Sequence, residues 1–199
     1  ISKYPSAMDI VDAFSMLLLF IFKDKRYQVY GRAFNDSNIV DVSTLSDVSY
    51  SNVFFNKEGD TWKVVEIAIK YGEQTQLIVK REQRFKSTVL DGLKHLKEFS
   101  PKSTVFIDCS ATEAMIGVVS KNTSIERYVI EDFDKSVTQT NLALSKKVIL
   151  LDKNCVLTKN DIENFKFSKS KDENVKYVTT KDGFVACLRT ALHFYGGVI

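Results

Sequence analysis

The sequence predicts an α+β protein, mostly antiparallel β, built from two similar units that each place one helix against a sheet. An amphipathic helical pattern occupies residues 88–99. Three strand-like stretches follow it: residues 104–110, 115–121 and 125–131. The same order of parts occurs once before, in residues 6–42. We therefore expect a first helix-plus-sheet unit over residues 1–86 and a second over residues 87–199, together resembling one repeated architecture.

Composition places the chain among ordinary globular proteins. Its 199 residues are enough to bury a core, and 44% of them are hydrophobic and 27% charged. Eight glycines and two prolines are few for a fold that depends on many tight turns. The formal net charge of +3 permits an anionic partner, although dedicated nucleic-acid modules are usually more basic.

The first unit begins with a helix that Ser6 caps, with Asp9 placed favourably at its positive end. Alternating apolar residues then predict a series of strands: residues 18–23, 27–32, 39–43, 52–56, 62–71 and 76–81. The turn at residues 57–60 indicates a hairpin, with Gly59 at the position that needs a positive φ. The charged stretch 80–86 is the predicted connector to the second unit.

In the second unit, the helix over residues 88–99 is expected to bury Val89, Leu90, Leu93 and Leu96. The polar stretch 132–140 predicts a loop. The remaining predicted elements are a strand at residues 147–151, a brief helical turn at 158–161, and strands at 165–168, 175–180 and 184–194. The pair Asp182 and Gly183 predicts a hairpin turn before the last of these strands.

Cysteine and histidine usage indicates neither a disulfide framework nor a metal site. The three cysteines are odd in number and far apart in the sequence: Cys109, Cys155 and Cys187. This usage is typical of reduced residues in an intracellular protein. His95 and His193 are also far apart, so we expect no metal and no cofactor. The longest apolar run, residues 16–22, is too short to cross a membrane.

Two aspartates at predicted strand ends are the main candidates for catalysis. The segment from Asp108 to Thr112 resembles a metal-ion adhesion motif and also the first strand of ribonuclease-H-like folds. Asp152 could supply a second carboxylate, because two-metal chemistry needs carboxylates that converge at strand ends. The expected helical Glu is missing from residues 137–146, however, and strand-end aspartates commonly cap turns. The sequence therefore favours a structural role for both aspartates.

Clusters of lysine offer a second kind of site. Surface lysines are ordinary in any soluble protein. The alternative is that Lys94, Lys97 and Lys102 project from one helix and its following turn toward phosphates, as a surface that reads no base sequence.

Residues 30–42 resemble the strand-turn-strand of sliding DNA clamps, the processivity factors of viral and phage polymerases. The matching positions are Ala33, the polar turn Asn35-Asp36-Ser37, and the apolar pair Ile39 and Val40. The order of parts in the second unit is similar to the second clamp domain. Residues 165–194 resemble the closing strands of that domain.

This resemblance implies a non-enzymatic replication accessory protein, a trimeric ring that holds a DNA polymerase on duplex DNA. DNA contact would be non-specific and made to the phosphate backbone. The contact residues would be Lys94, Lys97 and Lys102, with Lys23, Lys25 and Arg26 contributing from a hairpin. No residue would be catalytic, and no membrane would be involved. The protein would lie inside the cell, in the host cytoplasm or nucleus if it is viral.

Two alternatives belong to other functional classes. One is a viral or phage structural or protein-interaction module that does not bind DNA. The other is a ribonuclease-H-like nuclease domain, active or inactive, that uses Asp108 and Asp152.

Overall fold

The computed structural model describes residues 29–30, 33–99, 105–108, 125–128, 132–165, 167–168, 176–177 and 183–196. The α-helices in these ranges are α1 Val89–Phe99, α2 Phe133–Ser145, α3 Val156–Asn164 and α4 Gly183–Phe194, and two short 3-10 helices span Asp36–Asn38 and Val42–Thr44. The strands are β1 Ile39–Val40, β2 Val48–Glu58, β3 Thr61–Lys70, β4 Gln76–Lys86, β5 Val105–Asp108, β6 Ile125–Tyr128, β7 Ile149–Asp152, β8 Phe167–Ser168 and β9 Lys176–Tyr177. The predicted α+β class is confirmed.

Seven strands form one mixed sheet in the order β1-β7-β4-β3-β2-β5-β6, and β8 pairs with β9 separately. Within the large sheet only β3 runs against its neighbours, β2 and β4. The other four pairings are parallel. The prediction of a mostly antiparallel sheet is therefore wrong. Parallel pairs join segments that are distant in the chain, so no local alternation of residues reveals them.

The sheet takes its strands from both sides of residue 86, the last residue of the predicted first unit. Strands β2, β3 and β4 precede that position, whereas β5, β6 and β7 follow it and pair with β2, β4 or one another. Two repeated clamp-like units are not seen among the described residues. The predicted connector at residues 80–86 is the second half of β4, paired with β3 as far as Lys86.

The hairpin of β2 and β3 is confirmed, with Gly59 in its turn at a φ of 59°. Strand β3 is buried along both faces, from Trp62 to Ile69. Its residues alternate between two apolar clusters, because successive side chains of a strand point to opposite faces. Val64 belongs to one cluster, and Val65 to the other.

Helix α1 covers one face of the sheet, close to its predicted bounds. Leu93 and Leu96 are buried against Trp62 and Val64 of β3. Leu90 is 65% exposed, so its predicted burial is wrong.

The opposite face carries the larger core and helices α2, α3 and α4. Helix α4 packs across β2, β3 and β5. The prediction of a strand over residues 184–194 is therefore wrong. The prediction of a loop over residues 132–140 is also wrong, because α2 begins there, where the side chain of Asp132 accepts a hydrogen bond from the backbone N–H of Lys135.

Some predicted elements lie outside the described residues. These are the helix that Ser6 caps, the strands at residues 18–23 and 115–121, most of the strand at residues 27–32 and the apolar run at residues 16–22. In the described part of the chain, no helix has the length and apolar character needed to cross a membrane.

A buried carboxylate fastens the end of α1 to the sheet. Glu66 accepts hydrogen bonds from the Ser51 hydroxyl and the Arg81 guanidinium, and the Lys80 ammonium lies 3.4 Å from it. Arg81 also donates to the backbone oxygen of Phe99 at the last turn of α1. Burial by itself raises the pKa of Glu66, but the hydrogen bonds from Ser51 and Arg81 and the positive charges of Lys80 and Arg81 outweigh it, and the pKa lies below its ordinary value.

Replacing Gly92 in α1 with Ala tests the packing of this helix on β3. A Cβ at this position would lie 2.4 Å from two ring carbons of Trp62, which is fully buried and stacked on Phe85. We expect Gly92→Ala to lower the free energy of unfolding by about 1–3 kcal/mol despite the better helix propensity of Ala.

Urea unfolding followed by circular dichroism measures this change. Gly72→Ala is the matched control, because the nearest atom to its added Cβ is 3.8 Å away. The packing described for α1 is refuted if Gly92→Ala is as stable as the parent chain.

The Glu66 network predicts a pH dependence of stability. Because folding lowers the pKa of Glu66, its contribution is complete above the ordinary value of 4.5 and is lost as the pH falls through the folded-state pKa. We expect Glu66→Gln to cost about 2 kcal/mol at pH 7. The difference from the parent chain should shrink steadily below about pH 4.5.

Urea unfolding from pH 3 to pH 8 tests this expectation. Glu58→Gln, at an exposed position on β2, should differ from the parent chain by less than about 0.5 kcal/mol throughout. A Glu66→Gln deficit that does not change with pH contradicts the role given to the ionised carboxylate.

Candidate nucleic-acid interface

One edge of the sheet gathers the ends of several strands and the beginnings of two helices. Strands β2, β4, β5, β6 and β7 run in the same direction, so their last residues meet at this edge. Helix α3 begins there shortly after β7 ends at Asp152. Helix α4 also begins there, because its first residue, Gly183, lies against the side chain of Lys63 at the start of β3.

A row of polar residues crosses five strands beside this edge. Lys63 of β3 pairs with Arg84 of β4 and with Asn56 of β2. Phe55 of β2 pairs with Ile107 of the parallel strand β5. The next residues on the two strands, Asn56 and Asp108, are therefore neighbours in register. Asp108 in turn pairs with Tyr128 of β6. We call Arg84, Lys63, Asn56, Asp108 and Tyr128 the polar row.

Two members of the polar row, Asn56 and Lys63, belong to the face of the sheet that α4 covers. On β2, Phe54 packs against the rings of Phe194 and Tyr195, and Asn52 donates to the Tyr195 hydroxyl. Asn56 is two residues beyond Phe54 and therefore lies on the same face. Lys63 of the neighbouring strand β3 lies on this face too, because its side chain contacts Gly183 of α4.

Lys63 is the most unusual member of the row, because only 9% of its surface is exposed. Lysines are rarely buried unless they are paired. Among the described residues, nothing forms a hydrogen bond or ion pair with its ammonium group. Arg84, its neighbour on β4, is exposed, and Asn56 on β2 is half-buried.

Two other carboxylates near this edge are already engaged by backbone amides. Glu82 accepts hydrogen bonds of 2.6 Å from the N–H groups of Leu157 and Thr158 and from the Thr158 hydroxyl, and it thereby caps α3. Asp161 accepts a hydrogen bond of 3.2 Å from the N–H of Phe184 in the first turn of α4. Both side chains fix the positions of helices.

The structure separates the two aspartates that the sequence suggested as partners. Strand β7 is four positions from β5 in the sheet, so Asp152 and Asp108 are about 19 Å apart. The metal ions of a two-metal site are only about 4 Å apart, so these two residues cannot share one. Asp152 is buried and accepts hydrogen bonds from the backbone of Val42 and from Asn154, which gives it a structural role.

The predicted DNA-contact residues are not brought together with the polar row. Lys94 is exposed on α1, on the other face of the sheet, where its ammonium lies 3.5 Å from Asp91. The backbone of Lys97 belongs to the same helix. The other four lie outside the described residues: Lys102, Lys23, Lys25 and Arg26. Contact between these six residues and DNA stays a prediction.

Neither described cysteine is placed for catalysis. Cys155 and Cys187 are buried free thiols. Burial raises the pKa of Cys155 to about 12, and the charges of Glu82 and Asp152 add to the rise, so the nucleophilic thiolate does not form at neutral pH. Within the described ranges, no group of three His, Cys, Asp or Glu side chains is arranged to hold a metal ion.

A cleft at the opposite edge is lined mainly by the β3–β4 turn and the last turns of α2 and α4. Its lining includes Gln74, Leu142 and His193. The cleft lies at the far end of α4 from Gly183 and is therefore separate from the polar row.

Four members of the polar row, Lys63, Asn56, Arg84 and Tyr128, are not among the site residues predicted from the sequence. The first two could have been found from the hairpin, because its turn fixes the register in which Asn56 faces Lys63. Their proximity to Asp108 could not have been found, because it depends on the parallel pairing of β2 with β5.

Comparisons by sequence identify no relative. No protein-family model matches the chain, and no curated protein matches it significantly.

Comparisons by structure give clear likenesses. A large terminase from a thermophilic bacteriophage matches with a TM-score of 0.72 and 14% identity, over 84% of this chain and 45% of that one. The nuclease domain of the P22 large terminase matches with a TM-score of 0.67 and 10% identity, over 85% of this chain and 92% of that one. The large terminase nuclease of the thermophilic phage G20c, solved with bound magnesium, matches with a TM-score of 0.61 and 11% identity. The match covers 84% of this chain and 97% of that one.

These likenesses correct the functional predictions. The resemblance to sliding clamps is wrong, and so is the prediction of a non-enzymatic processivity factor, because the matched folds are terminases and nucleases. A polymerase partner and a trimeric ring have no support. The chain spans less than half the length of the first of these terminases, and identities of 10–15% concern the fold alone. The described part of this chain thus has the fold of phage large-terminase nuclease domains.

Proposed function

We propose that this chain is a ribonuclease-H-like nuclease domain of the large-terminase type, which acts on duplex DNA at the polar row. The main support for the proposal is the order of the strands in the large sheet. The meander β4-β3-β2, extended by β5 and β6 in parallel beside β2, is typical of ribonuclease-H-like folds. In α/β sheets of this kind, ligands bind beyond the carboxyl ends of the parallel strands. Asp108 is the last residue of β5 and lies at that edge.

By residue type, Asp108 and Asn56 suit one magnesium ion. Mg²⁺ is commonly held by one or two carboxylates together with substrate phosphates and water. Asp108 would supply the carboxylate, and Asn56 would supply an amide oxygen. When bound, such an ion activates water and stabilises the charge that develops on the phosphate oxygens. The described residues do not supply the additional carboxylates of a two-metal site.

The protein residues around Asp108 suit a polyanionic substrate. Lys63 and Arg84 place two cationic side chains next to each other in the row. Phosphate groups dominate protein–DNA affinity, so this charge favours a nucleic-acid strand lying across the edge of the sheet. Asp152 is assigned no part in the reaction.

Asp108→Asn tests the proposed reaction. The parent chain is expected to nick supercoiled plasmid DNA with Mg²⁺ or Mn²⁺ and to lose this activity in EDTA. Loss of the metal-binding carboxylate should lower the rate at least about 100-fold. Agarose gels measure the conversion of supercoiled DNA to nicked and linear forms.

Asp47→Asn is the matched control. Asp47 is exposed in the loop before β2, at the opposite edge, and its φ of 62° is one that Asn tolerates. Its activity should equal that of the parent chain. Cleavage that survives Asp108→Asn, or that does not depend on a divalent metal, overturns the assignment.

A second candidate function is a nuclease-inactive relative that only holds DNA. The observation that favours it is Asn56, because an amide stands at the position next to residue 108 where a second carboxylate would bind metal most strongly. In this case the parent chain binds duplex DNA but does not cut it.

Asn56→Asp tests this alternative. A carboxylate beside Asp108 should raise the affinity for Mg²⁺ about tenfold, because the negative charge of the site doubles. Isothermal titration calorimetry measures the affinity. Asn160→Asp, at an exposed position on α3, controls for the added charge and should leave the affinity unchanged. Equal affinities for Mg²⁺ in both variants refute the placement of residue 56 at the metal site.

A further inference from the structure

We infer that Lys63 and the first turn of α4 form a phosphate-binding site that holds the backbone of a DNA strand next to Asp108. This inference rests on the proposed function, from which it takes DNA as the ligand. Its evidence is the burial of Lys63, the position of the α4 N-terminus and the register of the polar row.

The first step concerns the charge of Lys63. A lysine can bury its apolar stem and keep its ammonium group in contact with water. The residue as a whole is 9% exposed, its ammonium has no partner among the described residues, and that nitrogen is not one of the buried unpaired polar atoms, so it reaches solvent. The stem therefore fixes the position of a charge that is still open to an anion.

The second step concerns the helix. The first turn of an α-helix carries N–H groups without partners inside the helix, and its N-terminus carries about half a positive charge. Helix α4 has 12 residues, and its first residue, Gly183, is packed against the Lys63 side chain. A Cβ at Gly183 would lie 2.2 Å from Cδ and 2.8 Å from Nζ of Lys63. Two positive groups are thus held together, and the Asp161 carboxylate compensates only part of their charge through one N–H of this turn.

The third step concerns the acids nearby. Asp161 accepts a hydrogen bond from Phe184, so it satisfies one N–H of this turn. Glu82 is occupied at α3. Neither carboxylate forms a hydrogen bond or ion pair with Lys63, so an external phosphate oxygen can approach its ammonium group.

The fourth step concerns direction. Lys63 lies one strand from Arg84, which is exposed, and two strands from residue 108, which is about 10 Å. A strand of DNA that lies along the polar row passes Arg84, then Lys63, then Asp108. The site therefore positions the backbone beside the proposed metal-binding carboxylate, and Lys63 acts as a positioning residue.

Lys63→Met tests the site, because Met keeps much of the length of the buried stem and removes the charge. Fluorescence anisotropy with a DNA duplex of about 30 base pairs, in EDTA and at several NaCl concentrations, measures the dissociation constant and its salt dependence. We expect binding to weaken about tenfold and the slope of log K against log[NaCl] to fall by about one.

Lys70→Met is the matched control. Lys70 lies at the other end of β3, roughly 23 Å away, and is half-buried. It should bind DNA as the parent chain does. Thermal unfolding of both variants shows that they are folded, so that a change in DNA binding is not caused by unfolding. Met fills the space of the buried stem, and the melting temperature of Lys63→Met should stay close to that of the parent chain.

Inorganic phosphate separates a DNA site from a site for the free ion. If Lys63→Met weakens DNA binding and the control does not, the inference is supported. If the parent chain is stabilised by phosphate but its affinity for DNA is the same with and without Lys63, the inference is overturned and the site belongs to free phosphate. Unchanged affinity and slope with no effect of phosphate also overturn it.

Cleavage assays distinguish this failure from failure of the proposed function. A chain that binds DNA through Lys63 but never cleaves it contradicts the nuclease proposal and leaves the phosphate site standing. A chain that cleaves DNA through Asp108 while Lys63→Met binds normally contradicts the phosphate site alone.

Discussion

The fold depends on the burial of β3 between two apolar layers. This strand is covered on one face by α1 and on the other by the larger core, so each of its residues from Trp62 to Ile69 is removed from water. Hydrogen bonds to β2 and β4 satisfy its backbone along its length. Because β3 is antiparallel to both of its neighbours, β2 and β4 run in the same direction. The strands that pair with them in parallel, β5 and β7, run in that direction too.

That common direction is what makes a site possible. The last residues of β2, β4 and β5 reach the same edge because these strands are parallel. Helices α3 and α4 also start at this edge. Polar residues that are far apart in the sequence become neighbours in the register of the sheet. The arrangement explains why a chain with a net charge of only +3 can still present adjacent cationic groups at one place.

Local patterns predict the parts whose structure is decided locally. The β2–β3 hairpin follows from alternation and Gly59, and α1 follows from apolar residues at helical spacing. Helix α4 has the sequence pattern of a strand because ten of its twelve residues are buried, so it lacks the polar face that marks a helix. The sequence of helix α2 predicts a loop because its first half is rich in polar residues. The helix start that Asp132 caps is not apparent from that composition.

The site is harder to predict because its geometry comes from parallel pairing. Asp108 is recognisable as a strand-end carboxylate, but nothing in the sequence shows that three strands lie between it and Asp152. The clamp resemblance rests on a short strand-turn-strand around Asn35 and on a helix followed by strands. Such an order of parts occurs in many folds, and only the strand order in the sheet separates them.

The capping of α3 by Glu82 has a consequence for the electric field at the sheet edge. Two helices begin there, and both would project positive potential if left alone. A full negative charge held 2.6 Å from the amides of Leu157 and Thr158 cancels the potential of one of them. The start of α4 also has a carboxylate, that of Asp161, but this helix start lies beside the side chain of Lys63 as well. Within the polar row, the positive charge that remains is that of Lys63 and its neighbour Arg84. A polyanion approaching the edge is therefore drawn to that part of it rather than spread evenly across it.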